Sequence, residues 1–190
     1  MNDIIQLRVL LDKTDPLIWR RILIPDSITF FDLHHVLQIV MGWKNSHLFE
    51  FMVNDYRIGF VDDDYEGSED MAEANLVTVD TLLSREGLRF MYRYDFGDGW
   101  QHTIEIEKIV NSEPGEVYPV CVEGQQNCPP EDCGGISGFY NLLEILNDKG
   151  HPEYEEMRTW AGRYNPKKFN LTRINKELPR FRTYMKHWKK

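Results

Sequence analysis

Apolar and polar residues alternate from Ile4 to Leu11, with Ile5, Leu7, Val9 and Leu11 in one phase. A period of two predicts a strand with one face buried. Asp15-Pro16 is turn chemistry, and Leu17 to Ile24 reads as the returning strand of a hairpin, closed by Pro25-Asp26. The period then changes. Phe30, Leu33, Val36, Leu37 and Val40 recur at helical spacing, so Thr29 to Met41 is predicted as a helix, with Thr29 as its cap and Gly42 as its stop. On that wheel His35 falls on the solvated side and His34 at the edge of the apolar stripe.

Alternation returns at His47, Phe49, Phe51 and Val53, and Asn54-Asp55 turns the chain into Tyr56 to Phe60. A short helix is expected over Asp80 to Arg85. Leu88, Phe90, Tyr92 and Tyr94 form one arm of a long hairpin, Asp95 to Gly99 its turn, and His102, Ile104 and Ile106 the buried phase of the other arm. Val117 to Val122 reads as a further short strand, and Gly124 to Gly135 as irregular. Ser137 is placed as the cap of a helix that stops at Gly150, another helix runs from Pro152 to Gly162, and Leu171 to Trp188 reads as two helical pieces divided at Pro179. Strands precede helices. The predicted fold is α+β: a mixed or antiparallel sheet built from hairpins, with one N-terminal helix and a C-terminal group of helices. The expected organisation is a single α+β domain over residues 1–165, with a basic helical extension, 166–190, packing on it.

Charge changes this picture at the C-terminal end. The chain carries a net charge of -9, but residues 163–190 hold ten Lys or Arg against Glu177, a local +9 that leaves -18 on the rest. A body that acidic repels nucleic acid over most of its surface. The basic tail can offer a nucleic-acid or protein partner a surface, or fold back on the acidic body. No run of eighteen apolar residues suggests a membrane span. The first residues have no basic-then-apolar leader, and three cysteines are an odd count, which together lead us to expect a reducing, cytoplasmic setting.

Chemistry-bearing residues gather in three places. The hairpin turn carries Asp95, Asp98, Trp100 and His102, and the loop Cys128-Pro129-Pro130-Glu131-Asp132-Cys133-Gly134-Gly135 adds Glu131 and Asp132. Carboxylates with histidine suit a divalent cation or acid–base work. Asp and Gly are equally the ordinary residues of a tight turn. A metal set would draw on His47, His102, Asp98 and Glu131, with Asp95 and Asp132 as further carboxylates. Cys121, Cys128 and Cys133 do not have a standard zinc spacing, although three thiolates with His102 would make four ligands. Gly134-Gly135 before a helix presents amides to an anion, or to Glu131 and Asp132. Finally, Asp62, Asp64, Glu66, Asp70 and Glu73 fall at calcium-loop positions, but the flanks do not read as two helices. No Walker loop, nucleophile elbow or dinucleotide fingerprint is present.

Several of these residues form a pattern in order: Trp19-Arg20-Arg21, Leu33-His34, Gly42-Trp43 with His47-Leu48, Tyr94-Asp95-Phe96-Gly97-Asp98 with Trp100 and His102, and Pro129-Pro130-Glu131-Asp132 with Gly134-Gly135 and Gly138. The chain in this respect resembles the Ri-plasmid ORF-3-like proteins, a family also met as passenger proteins of transposable elements. The resemblance spans about residues 4–165. It implies an α+β domain, a bacterial or archaeal setting and a link to mobile elements, and it supplies no reaction. The functional expectation is a non-enzymatic binding or accessory protein. The alternatives are a metal-dependent hydrolase or nuclease using the hairpin and the Cys loop, and a calcium-binding protein using Asp62 to Glu73.

Overall fold

A computed structural model describes residues 3–60 and 70–187, with side chains described as far as Thr183. Its centre is one eight-stranded sheet. The strands are β1 (Asp3–Leu11), β2 (Ile18–Pro25), β3 (Phe49–Val53), β4 (Tyr56–Gly59), β5 (Met71–Glu73), β6 (Arg89–Tyr94), β7 (Trp100–Asn111) and β8 (Val120–Gln125). Their order across the sheet is β5-β4-β3-β6-β7-β1-β2-β8. All neighbours are antiparallel except β4 and β5, which makes the sheet mixed. With four α-helices, α1 (Phe30–Met41), α2 (Gly135–Asn147), α3 (Tyr154–Ala161) and α4 (Leu171–Glu177), the fold is α+β as the order of periods predicts.

One face of the sheet makes the core. Leu7, Val9, Ile22, Ile24, Phe51, Tyr92, Ile104 and Ile106 all point into it and are fully buried. Alternation gives the opposite face to charge, where strands carry cross-strand Arg–Glu pairs. Arg93 stands opposite Glu50, Arg89 opposite Glu105, and Arg21 joins Glu107 and Glu123. Each of these four carboxylates is thus neutralised locally by an arginine of a nearby strand.

Helix α1 covers the apolar face. The Thr29 hydroxyl accepts from the Asp32 amide at 3.1 Å, the cap the sequence indicates, and Gly42 closes the far end. The expected solvated side of α1 does not exist. Every residue of the helix except Phe31 is buried, including His35. The reason is long-range: after α4 the chain continues as a 3₁₀ segment, Leu178–His187, that lies against the outer side of α1. Leu178 and Phe181 are buried there, and Arg182 pairs with Asp32 at 3.2 Å. Asn175 of α4 bonds both backbone groups of Cys121 on the edge strand β8. The two helical pieces expected around Pro179 are present, an α-helix ending at Glu177 and a 3₁₀ segment starting at Leu178.

Two local expectations are corrected. The short helix expected over Asp80 to Arg85 is a single 3₁₀ turn, Val79–Thr81. Helix α2 begins before Ser137, with Gly134 as its cap in a left-handed conformation.

Candidate functional site

The antiparallel register of β3 and β6 opposes Phe49 to Tyr94, so the residues just before β3 and just after β6 share one rim. The Asp95 amide donates to Leu48 O at 2.9 Å and continues that ladder. His47 and Asp95 are therefore neighbours by register. Asp95 then leaves the strand with φ 55°, a left-handed conformation that Asp tolerates. Its Oδ1 accepts from the amides of Gly97 (3.0 Å) and Asp98 (3.2 Å), which builds the turn. Its other oxygen, Oδ2, lies 3.5 Å from His47 Nε2.

The Cys loop is tied to this rim at several points. Trp43 Nε1 donates to Pro129 O at 3.0 Å. Glu131 accepts from Tyr94 Oη (2.6 Å) through one oxygen and from the Lys44 amide (3.0 Å) through the other. Tyr94 Oη itself accepts from the Ser46 amide. Burial, reinforced by the Glu131 carboxylate, pushes the Tyr94 phenol well above its ordinary value, so it acts as a fixed hydroxyl donor. Asp98 Oδ2 accepts from Gly134 N at 3.2 Å. The hairpin turn approaches so closely here that a Cβ on Gly135 would overlap Asp98 O. These ties deliver Asp132, with φ 60°, to the rim, where its Oδ1 lies 3.0 Å from His47 Nε2.

Three side chains thus converge, one from each of three segments. One ligand-type atom from each of His47, Asp95 and Asp132 lies within 4.8 Å of the others. Asp95 is buried, His47 is partly exposed and Asp132 is 69 % exposed, so the group opens to solvent on one side. His47 Nε2 is itself buried and makes no hydrogen bond of good geometry, although two carboxylate oxygens are near. The distances satisfy an ion pair but the directions do not satisfy a hydrogen bond.

The other named candidates are placed differently. His102 is fully buried, two residues inside the rim, packed edge-on to Trp43 with Nδ1 3.3 Å from Tyr92 O. Burial, and then the charge of Arg20, lower its pKa to about 3, so it is a neutral core residue. Trp100 is fully buried beside Trp43. Asp98 and Glu131 are occupied by backbone amides. The anion read for Gly134 comes from Asp98 rather than from Glu131 or Asp132. Among the described residues the three cysteines and His102 do not form a metal-ligand group. Cys128 lies between Arg20 and Met41, and burial raises the thiols of Cys121 and Cys133 to about 11 and 12, which leaves them unreactive. Of the calcium-loop residues, Asp62, Asp64 and Glu66 lie outside the described residues. Asp70 is an exposed turn residue, and Glu73 ends β5.

Beneath the rim lies a polar layer that the sequence pattern does not reveal. His34 Nδ1 meets Tyr92 Oη at 2.8 Å and its Nε2 meets Asn45 Oδ1 at 2.5 Å. Gln38 donates to the same Tyr92 oxygen at 3.0 Å and accepts from the Asn45 amide. Arg20, also missed, is buried. Its signal was present: it shares strand parity with Ile18, Ile22 and Ile24.

The plasmid pRiA4b ORF-3-like protein family matches residues 3–173, nearly the whole chain. The chain belongs to this family. The match runs past the last motif and ends at residue 173, within the first turn of α4. A member-like relative, the uncharacterized protein y4hQ of Sinorhizobium fredii, is 38 % identical over 178 residues, covering 92 % of this chain and 90 % of its own. The crystal structure of a protein of unknown function, MM3350 from Methanosarcina mazei Go1, superposes with a TM-score of 0.79 at 36 % identity, covering 90 % of this chain and 97 % of that one. The ORF-3-like fold is therefore seen in a solved structure, and neither relative carries an established activity. No helix among the described residues is long and apolar enough to cross a membrane.

Proposed function

We propose that this ORF-3-like protein binds a divalent metal ion through His47, Asp95 and Asp132. The observation that carries the reading is the convergence of one imidazole and two carboxylates, from three separate segments, within 4.8 Å. One nitrogen and two oxygens suit a first-row divalent ion such as zinc, manganese or iron(II). The undirected, buried Nε2 of His47 gains a partner when the ion sits between it and the two carboxylates. Asp95 divides its work: Oδ1 holds the turn and Oδ2 faces the site, so the ligand is oriented by the backbone that it caps.

Three protein ligands leave coordination positions open to solvent, on the side where Asp132 is exposed. That favours a site that works on a bound molecule over a closed structural site. A metal-assisted hydrolase is the enzymatic form of this proposal, in which an ion held by His47, Asp95 and Asp132 would supply Lewis-acid activation of water. An accessory protein that holds the ion is the form supported by Glu131, whose two oxygens accept from Tyr94 Oη and the Lys44 amide, and by Asp98, whose Oδ2 accepts from the Gly134 amide. Three free thiols fit a reducing cytoplasm, and the family's name fits a setting with mobile elements.

The test is titration calorimetry of chelator-stripped protein with zinc and manganese. We expect one ion per chain, and an affinity lowered by about 100-fold or more in His47→Ala and in Asp95→Asn. Asn tolerates the left-handed backbone and keeps a carbonyl for the turn, so Asp95→Asn removes the charge and leaves the fold. Binding weaker than about 1 mM in the unmutated protein, or unchanged in both variants, removes the proposal. A phosphoester screen of the metal-loaded protein then separates hydrolase from accessory protein.

A further inference from the structure

A cavity elsewhere in the molecule is lined by none of His47, Asp95 and Asp132. The C-terminal end of α1, the start of the Cys loop and the basic tail enclose a cavity of about 290 Å³. Its lining holds four cationic side chains, Arg20, Arg163, Lys168 and Arg173, against one carboxylate, Glu177. That carboxylate is already paired with Arg173 at 3.0 Å. The side chains of Arg163 and Lys168 have no acceptor among the described residues.

Arg20 makes the cavity more than a basic patch. It is 2 % exposed, and every partner it has is uncharged. Its Nε donates to Val40 O (2.8 Å), one terminal nitrogen to Trp19 O (2.7 Å) and Gln125 O (2.8 Å), and the other to Cys128 Sγ (3.2 Å). The ring of Phe169 covers it at 4.7 Å. A guanidinium has five N–H donors, so one remains without a protein acceptor. Among the described residues no carboxylate lies within ion-pair distance of Arg20. A buried cation without a counterion is costly, and an anion in the cavity it lines would offset that cost. Gly124 allows this packing: a Cβ there would come within 2.7 Å of the Phe169 ring and 2.9 Å of Arg20 Cδ. The site is also placed where an anion can approach, since three of its four cations come from the +9 segment of an otherwise acidic chain.

We propose that this cavity binds a phosphate group, with Arg20 at its floor and Arg163 and Lys168 at its mouth. Guanidinium and ammonium donors around an open cavity match the three acceptor oxygens of a phosphate better than they match a single carboxylate. The phosphate can belong to a small ligand or to a nucleic-acid strand, and the same chemistry serves both.

The experiment is calorimetry on the full chain, in chelator so that the rim cannot contribute, with pyrophosphate, an adenine mononucleotide and a single-stranded oligonucleotide as separate probes. The comparison is the exposed double variant Arg163→Glu/Lys168→Glu, whose thermal melt confirms folding. Arg20 is left intact because it supports four separate contacts. We expect at least one probe to bind the unmutated protein and to lose about 10-fold or more in the variant. Binding of pyrophosphate or mononucleotide assigns a small phosphate ligand. Binding of the oligonucleotide alone, steeply weakened by salt, assigns a strand. No binding by any probe, or binding that survives the double variant, overturns the proposal.

Discussion

His47 and His102 lie near the same sheet rim, yet their surroundings are opposite. His47 stands partly exposed between two carboxylates from other segments. His102 is sealed under Trp43, and its neighbour in the core, His34, is held by Tyr92 and Asn45. The buried layer has no acidic partner at its histidines, and desolvation keeps both rings neutral. The rim has charge, partial exposure and an undirected nitrogen. Residue type alone does not separate a ligand from a core residue. What separates them is whether charged groups from distant segments arrive with them. Under the proposed metal site, the layer would fix the shape of the rim and the rim would hold the ion.

The largest test of that division is His34→Ala. The ring stacks on Phe49 at 3.6 Å and satisfies Asn45 Oδ1 and Tyr92 Oη. Its removal leaves a cavity and an orphaned amide oxygen, for a loss of about 3 kcal/mol. Urea unfolding should show that loss, with a melting temperature lower by about 6–12 °C. Metal affinity at the rim should change by less than about 3-fold. A loss of metal affinity as large as that in His47→Ala would break the division, because the layer would then be part of the site.

How much of this was legible in the sequence follows from which contacts are local. Period-two alternation located β1, β2, β3, β6 and β7, and the Thr29 cap located α1, because each signal lies within a few residues. His35 was misplaced because its cover, the segment after Leu178, is set by tertiary packing. The candidate residues Asp95, Asp132 and His47 could be named from their types. Their convergence could not, since it depends on β3 pairing with β6, from which β4 and β5 separate it in the chain, and on Glu131 tying its loop to Tyr94 and Lys44. Arg20 is the instructive case between these. Its parity with Ile18 and Ile22 announces burial, while its partners at Val40, Gln125 and Cys128 are all non-local.

A second test sharpens the contrast through pH. Folded His102 stays neutral down to about pH 3, whereas an unfolded histidine takes up a proton near 6.5. Below that pH the unfolded chain binds the extra proton. Stability is therefore full above about 6.5 and falls as pH drops, by about 1.4 kcal/mol per pH unit for each such histidine. His34, lowered by burial and by nearby His35, adds in the same direction. Between pH 6.5 and 5 the unmutated protein should lose about 2 kcal/mol more than His102→Gln does. Urea midpoints across that window measure it, and parallel curves for the two proteins would mean that His102 is not held neutral in the fold.

The smallest expected effect comes from the residue that joins the two regions. Glu131 accepts from Tyr94, which stacks on Trp43, and from the Lys44 amide on the segment that leads to His47, and it precedes Asp132 in the chain. Glu131→Gln keeps the size and one carbonyl oxygen, but an amide cannot accept both bonds through two oxygens. One donor is left to find water, which this half-buried position permits, so the cost should be about 1 kcal/mol, or 2–4 °C in melting temperature. The informative reading is the metal affinity of the same variant. A fall of about 3- to 10-fold, between the small effect of His34→Ala and the large effect of His47→Ala, would show that Glu131 positions Asp132 without binding the ion. A fall as large as for His47→Ala would make Glu131 a ligand and move the centre of the site towards Tyr94.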